Sequence, residues 1–80
     1  MHSRERNPKM EVGQIWKEKS KNGTKCYITH IKVKPNGTEE YVYALYPDGT
    51  MFKWTAGGFK HNNEFTGDRV PFEDVAAILF

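Results

Sequence analysis

The chain carries one cysteine, Cys26, and no C-x-x-C pair, which excludes an internal disulfide and a thiolate zinc site. It has no apolar run near the roughly 18 residues of a membrane span. The charged opening Met1–Lys9 leads into no apolar stretch of the kind a secretory signal needs. These absences fit a cytoplasmic protein with no membrane segment. In that setting Asn22-Gly23-Thr24 and Asn36-Gly37-Thr38 read as turns rather than glycosylation sites. No charge dominates either: the net charge is +2, a weak footprint for a nucleic-acid binder. That balance hides a gradient. Residues 10–34 hold Lys17, Lys19, Lys21, Lys25, Lys32 and Lys34 against Glu11 and Glu18, whereas seven carboxylates outnumber Lys53, Lys60 and Arg69 in residues 35–80. There is no internal repeat and no low-complexity segment.

Eighty residues make one domain, and a chain of this size buries only about 60–65% of the surface its unfolded form exposes. One compact core is expected. The aromatic share, 14%, supplies the large rings from which a small core is built. Residues 1–9 read as a disordered polar tail and residues 10–80 as the domain.

Four strand-like runs follow the tail: Val12–Lys19, Lys25–Lys34, Glu40–Tyr46 and Thr50–Thr55. Asn22-Gly23, Pro35-Asn36-Gly37 and Pro47-Asp48-Gly49 separate them, three hairpin signals in series and hence an antiparallel meander. The stretch Ala56–Pro71 reads as a long irregular loop. Phe72–Phe80 is apolar and reads as a fifth strand in preference to a short helix.

In the second run Cys26 and Ile28 are apolar at even positions, and Ile31 and Val33 at odd ones. That phase change predicts a bulge near His30. A three-residue loop at Pro35-Asn36-Gly37 would then turn Tyr41, Tyr43 and Leu45 inward. The next turn allows two registers. A two-residue loop at Asp48-Gly49 pairs Leu45 with Phe52 and puts Phe52 and Trp54 in the core, the reading adopted. A three-residue loop at Pro47-Asp48-Gly49 pairs Ala44 with Phe52 and sets the rings on the opposite face, as an aromatic patch with a basic rim at Lys32 and Lys34.

Catalytic chemistry is thin. His2, His30 and His61 are widely spaced and match no metal-ligand pattern. Cys26 sits among apolar strand neighbours and reads as a small buried hydrophobe. Glu73 and Asp74 are adjacent and on a strand would point opposite ways, a poor acid–base pair. There is no phosphate-binding G-x-x-x-x-G-K loop, and Gly57-Gly58 reads as a hinge or turn. The sequence therefore implies no enzyme, no cofactor and no metal.

The arrangement resembles an SH3-like small barrel, with Val12-Gly13-Gln14-Ile15-Trp16 opening it and a tight Asp48-Gly49 hairpin before the fourth strand. Val42-Tyr43-Ala44-Leu45-Tyr46, then Phe59, then Gly67-Asp68-Arg69-Val70-Pro71-Phe72, is similar to a short bacterial family of unknown function, over about the last 40 residues. The chain departs from that pattern between Thr50 and Gly58, where it lacks an arginine-proline pair. Chains of this style also resemble accessory products of phages. The expectation is an all-β, five-stranded antiparallel barrel that binds a protein partner, as an interaction module or inhibitor, through Tyr46, Trp54, Phe59, Lys60, His61 and Arg69. The alternative is a nucleic-acid-binding barrel using Lys17, Lys19, Lys21, Lys25, Lys32 and Lys34. A monomer and a homodimer are both compatible with the sequence.

Overall fold

The structure is a computed structural model and describes residues 9–79. The expected disordered tail falls, apart from Lys9, outside the described residues. Five antiparallel strands form one sheet in the order β4-β3-β2-β1-β5: β1 Gln14–Glu18, β2 Lys25–Val33, β3 Glu39–Leu45, β4 Met51–Thr55 and β5 Asn63–Arg69. A short helix, α1 Ala56–Asn62, links β4 to β5, and a 3-10 turn at Phe72–Asp74 leads into α2, Val75–Leu79. No ladder among the described residues joins the edge strands β4 and β5, so the sheet is open.

The two proline turns are built alike. Pro35 and Pro47 preset φ for a type I turn, and Gly37 and Gly49 close each turn at φ 90°. Lys34 N–H donates to Thr38 O at 2.8 Å, and Tyr46 N–H donates to Thr50 O at 2.9 Å. The side chains of Asn36 and Asp48 accept from the amides of Thr38 and Thr50. Both loops therefore have three residues. The second turn takes the register not adopted from sequence, with Ala44 opposite Phe52 and Val42 opposite Trp54.

The bulge expected near His30 is there, at Thr29. A second bulge, at Glu40, corrects the expected facing of β3. Val33 pairs with Glu39 but Lys32 pairs with Tyr41, so Val42 and Ala44 are buried and Tyr41, Tyr43 and Leu45 lie on the other face. The physical reason is Glu39. Without the extra residue it would share a face with Tyr41. With the bulge its carboxylate reaches the Lys60 ammonium at 2.9 Å and the Met10 amide at 3.1 Å.

The inner face carries the main core: Met10, Trp16, Cys26, Ile28, Val42, Ala44, Ala56 and Phe59. Trp16 lies between Phe59 and Phe65, with ring centroids 5.1 and 5.7 Å away. A smaller cluster of Ile15, Tyr27 and Val75 covers the outer face under α2.

Ala56–Pro71 is thus not an irregular loop. Thr55 caps α1, its hydroxyl accepting from Gly58 N–H at 3.1 Å. Gly57-Gly58 lies in the first turn of that helix rather than in a hinge. A Cβ on Gly58 would sit 2.9 Å from the capping hydroxyl. Asn62 and Asn63 donate side-chain N–H groups to Gly58 O and Phe59 O, which closes the other end. The fifth strand is Asn63–Arg69, and the apolar run after Pro71, expected as a strand, is helical. Once β5 pairs with β1, the C-terminal run serves the sheet best by covering its outer face with Val75.

Candidate functional site

The β3–β4 hairpin projects Tyr46, Phe52 and Trp54 to one side. Phe52 and Trp54 lie on the inner face, but β4 is an edge strand and, among the described residues, no further strand lies beyond it. Phe52 is 61% exposed. Its ring meets Tyr46 and Trp54 edge-on, at 6.2 and 6.3 Å. Trp54 continues inward to Phe59, 5.9 Å away, and donates its indole N–H to the Tyr46 hydroxyl at 2.9 Å. The core therefore runs out to the surface as a line of rings. They border a cleft of about 540 Å³ completed by Glu18, Thr24, Pro47, Asp48 and Thr50. A smaller recess beside it, about 210 Å³, shares Glu18 and Trp54 and adds His61 and Lys19.

Hydrogen bonding and burial together fix the charges here. The Thr50 hydroxyl and amide, bonded to the Asp48 carboxylate at 2.7 and 3.0 Å, hold Asp48 below its usual range. Burial pushes the Cys26 thiol up to about 12, a shift that its bond to Tyr46 only partly offsets. Burial and the neighbouring Cys26 push Tyr46 up to about 12 as well. Both groups are neutral at physiological pH.

The residues expected to bind a partner divide. Tyr46 and Trp54 share the cleft, with His61 on the adjoining recess. Phe59 is 0% exposed and anchors α1 in the core, so it is not a surface contact. Lys60 is held by Glu39. Arg69 lies elsewhere, on a separate cleft with Tyr27 and Phe72, bonded to Glu11 at 2.8 Å and to Val12 O.

The six lysines do not form one tract. Lys17 faces Lys25 across β1–β2, with Lys19 and Lys21 in the loop beyond, and Lys17 reaches Glu64 at 3.9 Å. Lys32 and Lys34 lie at the far end of β2. They do not rim the exposed rings either, because Lys32 pairs with Tyr41 on the outer face. The rim is acidic.

Sequence reasoning missed Phe52, Glu18 and Asp48 as site residues. The proline before Asp48-Gly49 was the signal for Phe52; nothing local marks Glu18. Among the described residues no three His, Cys, Asp or Glu side chains converge in a metal-binding group, and no helix is long and apolar enough to cross a membrane. No family model matches the chain, and no curated protein or solved structure is significantly similar to it.

Proposed function

We propose that the protein is a non-catalytic binding module, cytoplasmic and of bacterial or phage origin, that takes an exposed segment of a protein partner in the Tyr46–Phe52–Trp54 cleft. One observation carries this reading: a large aromatic side chain, Phe52, stands mostly in solvent and is braced by two further rings over a cleft. Clustered exposed aromatics of this kind are typical of interface hot spots. The scaffold reads as an SH3-like barrel left open between β4 and β5. The strand order and the position of α1, which packs on β3, β4 and β5, support that description.

The test is partner capture from a bacterial lysate with and without nuclease, run in parallel with the wild type, Phe52→Ala and Lys32→Ala/Lys34→Ala. A stoichiometric protein lost only with Phe52→Ala is the expected result. Retention of that partner by Phe52→Ala would overturn the site.

A second reading, nucleic-acid binding, is favoured by the outer face of β2–β4. There His30, Tyr43 and Tyr41 form edge-on ring pairs and the Lys53 ammonium sits 4.1 Å over Tyr41. Capture that disappears with nuclease and with the lysine variants would move the function there.

A further inference from the structure

The aromatic cleft has a chemistry that selects its occupant. Tyr46 and Trp54 stand at 84° and 79° to Phe52, so the three rings wall the recess from different directions. Two carboxylates line it as well, Glu18 from the end of β1 and Asp48 from the β3–β4 turn, and no described lysine or arginine does. In the side-chain hydrogen bonds among the described residues each carboxylate uses one oxygen: Asp48 uses Oδ1 for Thr50, and Glu18 uses Oε1 for Ser20. The ion pairs among the described residues, Lys17–Glu64, Lys60–Glu39 and Arg69–Glu11, involve neither of them. Ring faces carry negative potential, and the two carboxylates add to it; Lys19 stands on the adjoining recess and not in the cleft. Such a recess attracts an organic cation and repels a phosphate.

We propose that the cleft binds a cationic side chain, the guanidinium or ammonium of an arginine or lysine in an exposed segment of the partner. This inference rests on the cleft being the partner site. The head group would lie against the rings between Glu18 and Asp48, its methylene stem along Pro47. An oligonucleotide is excluded by the same carboxylates, although its bases could otherwise stack on the rings.

The experiment is an NMR titration of the isotope-labelled full chain with the acetylated amides of arginine, lysine and trimethyllysine. The neutral isosteres citrulline and norleucine and a short thymidine oligonucleotide serve as controls. Trp54 and Trp16 are the two indole reporters of the chain, and Trp16 is buried, so its signal reports on the fold. Saturable movement of Trp54, Asp48 and Phe52 is expected with the cations, with Trp16 still and the neutral isosteres at least about fivefold weaker. Glu18→Gln/Asp48→Asn should abolish that preference and leave Trp16 in place. The strongest of the three cations identifies the side chain. Equal binding of the isosteres, no saturable shift with any cation, or movement of Trp54 by the oligonucleotide would overturn the inference. The Phe52→Ala capture result is read independently, so loss of charge selection and loss of the site itself are told apart.

Discussion

Phe52 and Phe59 are seven positions apart and have opposite physical roles. Phe59 packs against Trp16 and Trp54 with no exposed surface. Phe59→Ala should destabilise the fold by about 3–5 kcal/mol, the usual cost of truncating a buried ring. Phe52→Ala removes a side chain already in water and should cost less than about 1 kcal/mol. Urea unfolding of the two variants measures the difference directly. Trp54 lies between these extremes, one part against the core and another in the cleft, so its fluorescence reports occupancy as well as folding. The Cys26–Tyr46 pair adds a pH dependence. An ordinary thiol releases its proton near 9, but in the fold burial delays this to about 12. Above pH 9 the unfolded chain loses that proton first. Stability is therefore intact below 9 and falls as pH rises toward 12, by at most about 1.4 kcal/mol per pH unit for this group. Tyr46, raised in the same sense, steepens the fall above 10. Cys26→Ala should flatten the alkaline decline of the melting temperature between pH 9 and 10. An unchanged profile would place the titration elsewhere.

At the level of elements, the chain is most legible where local chemistry decides. The turn at Pro35, the hairpin order and the bulge at Thr29 follow from glycine, proline and a change of hydrophobic phase; the turn at Pro47 carries the same signal, but the two-residue register read there is not the one that forms. The bulge at Glu40 does not follow from local chemistry. It exists because Glu39 finds Lys60 and Met10, neither of them a neighbour in sequence. The facing of Tyr41, Tyr43 and Leu45 was lost with it. Nor does β5 announce itself: Asn63-Glu64-Phe65-Thr66-Gly67-Asp68-Arg69 has one apolar residue, and its strand state comes from pairing with β1. The candidate site was half legible for the same reason. Tyr46 and Trp54 stand out by type, whereas Glu18 reaches the cleft only through the sheet. Backbone geometry gives a further test. Gly13, at φ 99°, has Val70 O where a Cβ would be 3.0 Å away, whereas a Cβ on Gly37 would meet open space. Gly13→Ala should therefore cost clearly more than the about 1 kcal/mol expected of Gly37→Ala in thermal unfolding.

Over the whole molecule, the lysines are divided between distant parts of the surface. Lys25 and Lys32 are seven residues apart on β2, about 23 Å at ~3.3 Å per residue, with the Ile15–Tyr27–Val75 cluster covering the face between them. Six lysines so divided cannot follow one phosphate backbone. Any DNA binding should show a salt slope no steeper than about −3 to −4, against about −5 for six phosphates contacted together, as fluorescence anisotropy over a salt series would show. The exposed margin of the sheet has a different consequence. The outward amides and carbonyls of β4 are a template on which an identical strand from another molecule could add, and Met51, Phe52 and Trp54 would reward the addition. Lys53 stands in the middle of that strand, so approaching copies bring like charges together. Lys53→Val would leave an uninterrupted β-prone, uncharged segment and should turn a dispersed solution into one that scatters light as fibrils grow. On this view a single ammonium group guards the protein against its own polymerisation.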